Sequence, residues 1–576
     1  MKTGNTINFL EICRISLYNS FHWMSIHYYS FLIVIQQKKY YIMYIKKMGE
    51  KMKKKYLITL IMMCMLAFSL HYTYSASDDD WLHTQGNKIL DKNNNQIRIT
   101  GINWFGFDTS QCVFHGLWSR DLKSMLDQVA GLGFNAIRVP LHAELVSKWS
   151  QGIAVPASGV TIITSGSSLI NDYLAGLDSS GILDYTVNYC GQIGLKLILD
   201  MHCIQPDSNE QNLWYNASCT LENFINDWKF LAERYKNTDT VIGVDLKNEP
   251  HGLILEEGAG AAKWDGTEDA NNWKRAAEKI GQAVLSVNSN LLIFVEGVQQ
   301  YYDQQTTSLY EKLGLPIPAD TDPALHVGWW GGNLMGVKNF PVHLGSSQDK
   351  LVYAPHEYGP NVYMHPWFFD GFNRDTMEIV WDHFWNFINE NNSTPVLIGE
   401  WGGKISGAEN AANLVWMTAL RDKIVEMNWS HTFWCLNENS TDTGGIITGS
   451  NWDSINQAKY DFIRSTLWQD GAGNFIGIDH QINLGLRWRN AGEYYNSQQT
   501  STPAVSATPT PSGVRKGDVN RDGTVTIVDA LMTAQYYVGL NPPGFYAGAA
   551  DVNDDGVINI IDALMIAQYY VGLITF

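Results

Sequence analysis

The sequence predicts an α/β chain: a (β/α)8 barrel of the TIM type, followed by a small all-α module. Three observations carry this. Eight short apolar runs recur between residues 97 and 437, most of them followed by a helix-like stretch. Polar or ionisable residues stand at the carboxyl ends of those runs. Near the C-terminus, one segment is repeated at an offset of 33 residues. Near-continuous apolar strands separated by helices build a parallel sheet covered on both faces. Eight such units in about 400 residues close into a barrel.

The elements run in order as follows. Residues 52–76, "MKKKYLITLIMMCMLAFSLHYTYSA", have a Lys-rich start, an apolar stretch and a small-residue end. This pattern is that of a secretory signal peptide. It implies that Met52 is the true start and that residues 1–51 are a translated upstream extension. The alternative is a membrane anchor, but the apolar stretch is short for a span of about 20 residues. "WLHTQGNKILDKNNNQI" then reads as a hairpin closing the barrel bottom. The eight strands are "IRITGINWFG", "AIRVPL", "LKLILDMH", "VIGVDLKNEP", "LLIFVEG", "LVYAPHEYG", "PVLIGEWG" and "SHTFWCLN". The barrel is expected over 78–495. A Thr/Pro/Ser linker over 496–514, "QQTSTPAVSATPTPSG" at its centre, cannot build a core and reads as an extended spacer. The closing module spans 515–576.

Composition narrows the function. The 576 residues are 45% apolar and 17% charged, which fits a globular core, and the net charge of −18 argues against nucleic-acid binding. Aromatic content is 12%, with 21 Trp and 28 Tyr, a supply of flat amphipathic surfaces that suits sugars. Cys112, Cys190, Cys203, Cys219 and Cys435 follow the leader, an odd number, so at least one thiol stays unpaired. No pair has CxxC spacing, which argues against a zinc site.

In a (β/α)8 barrel, residues at the strand carboxyl ends do the chemistry. Strand 2 ends with Arg138, strand 3 with His202, and strand 4 with Asn248 and Glu249. Pro250 then stops the strand. Strand 6 carries His356 and Tyr358, strand 7 Glu400 and strand 8 Trp434. Any one of these could be structural: Arg138 a buried ion pair, His202 a satisfied core histidine. Together they describe one mouth. Two Glu on separate strands supply the acid and the carboxylate that cleavage of a glycosidic bond requires. An Arg close to a Glu holds it ionised. Asn248 suits a donor to the sugar 2-OH, and Trp434 a face for the ring. Asp200 and Asp245 lie inside strands and read as buried partners of Arg or Lys. Glu296 and Glu357 are reserve candidates. Trp104, Trp214, Trp329, Trp330 and Trp401 are candidates to line sugar subsites, or core.

The segments "GINWFGFDTSQCVFHGLWSRDLKSMLDQVAGLGFNAIRVPL", "LILDMH", "DLKNEPHG", "FVEGVQ", "PHEYGP", "LIGEWGG" and "FWCLNENSTDTGG" resemble glycoside hydrolase family 5, over roughly residues 80–490. The resemblance implies a retaining enzyme of the endoglucanase branch acting on β-1,4-glucan, with no cofactor required for catalysis. It implies Glu249 as acid/base and Glu400 as nucleophile. It implies substrate-binding positions at Arg138, His202, Asn248, His356, Tyr358 and Trp434. Cys203, directly after the strand-3 His, departs from many relatives, and with Cys112 it is a candidate disulfide near the cleft. A β-mannanase or xyloglucanase on the same barrel remains an alternative. So does a non-catalytic glycan-binding barrel, against which the retention of both Glu argues.

The repeats "DVNRDGTVTIVDALMTAQYYVGL" and "DVNDDGVINIIDALMIAQYYVGL" each open on Asp-x-Asn-x-Asp-Gly, the start of an EF-hand-type calcium loop. Loop one offers Asp518, Asn520, Asp522, the Thr524 carbonyl, Thr526 and Asp529. Loop two offers Asp551, Asn553, Asp555, the Val557 carbonyl, Asn559 and Asp562. Two Ca2+ ions are therefore expected. The residues before each loop contain Pro and Gly and cannot form an entering helix. Each unit is a loop plus one helix, and the last ligand is Asp rather than Glu. This resembles a type I dockerin, which implies a cohesin partner on a scaffold and an extracellular, cellulosome-associated enzyme. Each helix is apolar on more than one face, a surplus that points to a partner surface.

Overall fold

The computed structural model describes residues 80–162, 170–208, 211–499, 515–537, 542, 544–553, 558–570 and 573–575. The expected leader, the upstream extension and most of the linker lie outside these residues. The chain divides into two units, residues 1–499 and 500–576.

The first unit is a parallel barrel. Its strands are β1 (Thr100–Asn103), β2 (Ala136–His142), β3 (Lys196–Cys203), β4 (Val241–Asp245), β5 (Leu292–Val295), β6 (Leu351–Tyr353), β7 (Leu397–Ile398) and β8 (Ser430–Phe433). Each pairs in parallel with its neighbour from β7 through β8 and β1 to β6, and a parallel bridge between Tyr353 and Val396 closes the ring. Above β6 and β7, His356–Tyr358 pairs with Glu400–Gly402, with His356 opposite Glu400. All eight expected strands are present; β2 and β3 are at least as long as their apolar runs, and the other six are shorter. In those six the apolar run outlasts the regular ladder.

The outer helices include α1 (Leu122–Gly131), α2 (Ser179–Gln192), α3 (Leu221–Arg234), α4 (Trp273–Val287), α5 (Arg374–Phe384) and α6 (Ala411–Met427). Their starts are fixed locally. Asp121 caps α1 by accepting from Ser124 N at 3.0 Å, and Thr220 with Asn223 forms a capping box on α3. The barrel interior is filled at its lower end by Ile99, Ala136, Ile198, Ile242, Phe294 and Val352, so the barrel is a packed core open only at the top.

The expected hairpin is there, His83–Gln85 against Lys88–Leu90. A charged cluster ties it and the C-terminal segment to the barrel bottom. Lys196, at the start of β3, meets Asp479 at 3.0 Å, Asp239 at 3.2 Å and Asp80 at 3.6 Å. His480 bridges Asp80 at 2.6 Å and Asp91 at 2.8 Å. The last barrel helix runs from Ala491 to Gln499, past residue 495 where the sequence reading ended the domain.

The second unit holds two helices, α7 (Ile527–Tyr537) and α8 (Ile560–Tyr570), around a small core that includes Val519, Val525, Met532 and Ile566. In loop one, Asp518 accepts backbone N–H groups from Asp522 at 3.1 Å and Gly523 at 2.9 Å. Asp529 reaches back from α7 to take the N–H groups of Val519 at 2.9 Å and Asn520 at 3.2 Å. Gly523, the sixth loop position, has φ +93°, where a side chain would be strained. The loop therefore curls its oxygens inward, the donor set of a hard divalent cation. In loop two Asp562 repeats the contact to Val552 N at 2.9 Å, while Asp555 and Val557 lie outside the described residues.

Candidate active site

The two Glu stand at the barrel mouth. A carboxylate oxygen of Glu249, a ring nitrogen of His356 and a carboxylate oxygen of Glu400 all lie within 4.8 Å of one another. Beyond β4 the backbone goes on pairing through alternate residues, once to each neighbouring strand. Leu246 N donates to the Phe294 carbonyl at 3.2 Å and Asn248 N to the Met201 carbonyl at 3.1 Å. Glu249 then breaks direction with φ +50°, and its N–H donates to Glu296 Oε2 at 2.7 Å. Left-handed backbone at a non-glycine residue is strained and persists only where its surroundings enforce it. Glu296 is one such enforcer. Gly331 makes room for it: a Cβ there would lie 2.1 Å from Glu296 Oε2 and 3.3 Å from Glu249 Cα.

Arg138 organises the floor. Its Nη1 donates to Glu400 Oε1 at 2.8 Å and to Asn103 Oδ1 at 3.1 Å. Its Nη2 donates to Asn248 Oδ1 at 3.0 Å and Glu296 Oε1 at 3.2 Å, and its Nε donates to Asp245 Oδ2 at 3.0 Å. Asp200 Oδ1 is 3.2 Å from the same guanidinium. Asp200 and Asp245 are thus buried partners of Arg138, as their place inside strands implied. Tyr358 Oη donates to the other oxygen of Glu400 at 2.6 Å. Both Glu400 oxygens are held, one by a charged donor and one by a phenol.

His356 is wedged between acids, with Nδ1 3.0 Å from Glu249 Oε1 and Nε2 3.2 Å from Glu296 Oε1. Burial opposes its charge, but Glu296 and Glu400 outweigh that and hold it protonated well above the usual histidine range. His202 is raised in the same way: burial opposes its charge, and Asp200 at 2.7 Å more than compensates. The carboxyl pair itself is divided. Burial lifts Glu400 above the ordinary range despite His356 and Arg138, and the charge of Glu249 adds to the lift. Glu249 is also desolvated, but its bond from His356 brings it below the ordinary range. The two carboxyls are thus pushed in opposite directions, and because each feels the other's charge they titrate as a pair.

The six positions expected to bind substrate divide into two groups. His202, Asn248, Tyr358 and Trp434 line a cleft of about 790 Å3 together with Glu249 and Glu400. Arg138 and His356 do not reach it. They are 1% and 0% exposed and sit behind the carboxylates, because four buried acids claim the guanidinium and three the imidazole. Trp434 stacks parallel to His202 at 5.8 Å and to Phe105 at 5.6 Å, which fixes its plane.

The Cys112–Cys203 disulfide is absent, and all five cysteines among the described residues are free. The Cys112 thiol rests on the Thr109 carbonyl at 3.6 Å and Cys203 on the Asp108 carbonyl at 3.5 Å, so different partners hold them. Trp104, Trp214 and Trp401 are fully buried core, whereas Trp329 and Trp330 line the cleft. Glu357 points away from the mouth: it takes the Trp385 indole N–H at 2.8 Å, and burial pushes it up to about 8. Sequence reasoning missed His251, which stacks on Trp330 at 3.8 Å, though its place two residues after Glu249 was a usable signal.

Residues 90–440, which hold all of these groups, match the family model described as Cellulase (glycosyl hydrolase family 5). The chain belongs to this family. Residues 516–570 match the dockerin type I domain. Among relatives, Endoglucanase G of Acetivibrio thermocellus is 40% identical, over 81% of this chain and 86% of its own length. An endoglucanase of Paenibacillus polymyxa is 39% identical, over 68% of this chain and 87% of its own. Among solved structures, a cellotetraose complex of the endocellulase of Pyrococcus horikoshii superposes with a TM-score of 0.59 at 34% identity, covering 68% of this chain and all of that one. The catalytic domain of the major endoglucanase of Xanthomonas campestris gives 0.56 at 32%, covering 67% of this chain and 99% of that one.

Proposed function

We propose that this family 5 barrel is an endo-β-1,4-glucanase that cleaves internal bonds with retention, and that its dockerin anchors it to a cohesin outside the cell. The observation that carries the catalytic reading is the close approach of Glu249 and Glu400, within 4.8 Å oxygen to oxygen. Retaining glycosidases place their carboxyls about 5–5.5 Å apart, whereas inverting ones leave room for a water between them.

The roles follow from the contacts. A glucan filling the cleft removes water from Glu249, whose side chain is 17% exposed, more than from Glu400 at 4%. That desolvation raises the Glu249 carboxyl and favours its acid form. Glu400 keeps Arg138 and Tyr358 and carries the charge. The Glu249 proton passes to the glycosidic oxygen as that bond to C1 breaks, and a Glu400 oxygen bonds to C1. Water then loses a proton to Glu249 while its oxygen displaces Glu400 from C1. Asn248, whose Oδ1 is held by Arg138, keeps its Nδ2 donors for the sugar 2-OH. Trp434 supports the ring at the cleavage point.

Export through a leader at 52–76 belongs to the same proposal. In the dockerin, Asp518, Asn520, Asp522, Thr524, Thr526 and Asp529 would hold one calcium ion, and Asp551, Asn553, Asp555, Val557, Asn559 and Asp562 a second. Bound calcium supplies the charge that lets each ring of acids close. The exposed pairs Ile527–Val528 and Ile560–Ile561, each about half exposed, are the matching contact points for a cohesin. The test compares β-1,4-glucan, mannan and xyloglucan side by side. A faster fall of viscosity than rise of reducing ends on glucan supports the endo-glucanase reading. Preference for mannan or xyloglucan overturns the substrate, and no turnover of any overturns the enzyme.

A further inference from the structure

The left-handed backbone of Glu249, at φ +50°, needs support on both sides. Glu296 supplies one side by taking the Glu249 N–H at 2.7 Å. On the other side, the Glu249 carbonyl oxygen lies 2.6 Å from Nδ1 of His251. A carbonyl can only accept, so Nδ1 carries the proton and donates it. Pro250, between the two, has a fixed φ and no N–H of its own. The tether from His251 back to Glu249 is therefore short and stiff.

His251 is itself held from several directions. Only 4% of it is exposed. Its N–H donates to the Asn212 carbonyl at 3.3 Å, and its carbonyl accepts from Ala262 N at 2.8 Å. The next N–H, of Gly252 at φ +117°, donates to Gln299 Oε1 at 3.0 Å. The imidazole lies flat on Trp330, with ring centres 3.8 Å apart and planes 6° from parallel. Trp330 is half-buried and forms cleft wall beside Glu249, and His251 lies behind it. The residue after Trp330 returns to the acid: a Cβ on Gly331 would stand 3.3 Å from Glu249 Cα. The contacts thus close on themselves, from the Glu249 carbonyl through His251, Trp330 and Gly331 to the Glu249 backbone.

We propose that His251 is a positioning residue for the proton transfer at Glu249, its Nδ1–H fixing the peptide of the acid and its imidazole bracing the cleft wall at Trp330. The proposal rests on the acid/base role given to Glu249 above. A reacting group displaced by about 1 Å can cost about 100-fold in rate, and one hydrogen bond from the side chain is what holds this peptide from the C-terminal side. The two duties of the imidazole separate in two replacements. Phe keeps a flat ring against Trp330 and removes the donor. Asn keeps an N–H donor near the place of Nδ1 and removes the ring.

The test uses the full-length enzyme with His251→Phe and His251→Asn, each beside a melting curve. The substrates are cellotetraose, whose leaving alcohol needs a proton, and 2,4-dinitrophenyl β-cellobioside, whose leaving group does not. His251→Phe is expected to lower kcat on cellotetraose about 5- to 100-fold with KM within about twofold. Its kcat/KM on the dinitrophenyl substrate, set by the first step alone, should fall by less than about twofold. His251→Asn should recover most of kcat and raise KM at least about threefold, because Trp330 loses its brace. Equal losses on the two substrates would mean a structural role only and overturn the proposal, as would a Phe variant with wild-type kcat. An Asn variant as slow as the Phe variant would overturn the part played by the donor, and one with unchanged KM the link to Trp330. If Glu249→Ala itself fails to separate the two substrates, the acid/base reading falls and this one with it.

Discussion

Glu296 does not touch the cleft, yet its replacement by Gln is expected to change catalysis sharply. Its Oε2 takes the Glu249 N–H at 2.7 Å, and its Oε1 faces Arg138 and His356, both at 3.2 Å. Every neighbour is a donor. An amide NH2 must therefore point at a donor whichever way it turns, and one charge-assisted bond is lost. Such a bond is worth about 1.5–3 kcal/mol. If the loss falls on the strained geometry of Glu249, kcat/KM drops about 10- to 150-fold, mostly in kcat, because Glu296 makes no contact with substrate. The pH profile moves as well. Glu296 is the first of the acids that hold the His356 proton against burial. With that charge gone, His356 deprotonates at lower pH, and Glu249 loses the donor that keeps it low. The alkaline limb of kcat/KM, set by the proton on Glu249, should shift upward. The assay is kcat/KM on a soluble glucan from pH 4 to about 10, beside a melting curve. A variant with wild-type kcat and an unmoved alkaline limb would refute the reasoning, as would a loss confined to KM.

Further outcomes concern stability and assembly. Glu357, lifted by burial to about 8, holds a proton that the unfolded chain releases above about 4.5, so its contribution falls as pH rises between these values. Glu357→Gln keeps an acceptor for Trp385 and should gain a few kcal/mol at pH 8 relative to pH 4.5, read from denaturant midpoints. An equal midpoint shift at both values would place the carboxyl in water. His480 opposes burial with Asp80 and Asp91 and is raised to about 9. Its contribution is full below pH 6.5 and lost as pH rises through 9, so His480→Gln should cost up to about 3 kcal/mol at pH 6 and little at pH 10. A cost independent of pH would show that only packing is lost. For the dockerin, a chelator should unfold the module and abolish cohesin capture while glucanase activity persists. Ile527→Asp with Val528→Asp should leave binding through the other repeat. Complete loss from this one pair would show that only one repeat binds the cohesin.

Strand count, barrel class, the two Glu and the duplicated loops were all legible, because each depends on local pattern: apolar runs, a stop at Pro250, a calcium-loop spacing. What could not be read was depth. Arg138 and Tyr358 both stand at strand ends, and only the closed barrel shows that one lies beneath the carboxylates and the other beside the cleft. Glu296 and Glu357 looked equivalent in sequence. One faces inward to Arg138, the other outward to Trp385, and that difference is one of strand rotation in three dimensions. The cysteine pairing failed for a related reason. Cys112 and Cys203 share the catalytic end, but proximity to one cleft does not bring two sulfurs within bonding reach.

In the proposed double displacement Glu249 is the acid/base and Glu400 the nucleophile. Glu249→Ala tests it most directly, assayed on cellotetraose and on 2,4-dinitrophenyl β-cellobioside, with and without azide. Cellotetraose turnover should collapse, because its leaving alcohol needs a proton. Formation of the glycosyl-enzyme from the dinitrophenyl substrate should survive. Azide, which needs no base, should then accelerate turnover and yield the β-glycosyl azide. Loss of both substrates to the same degree, or an α-azide product, would contradict the assignment.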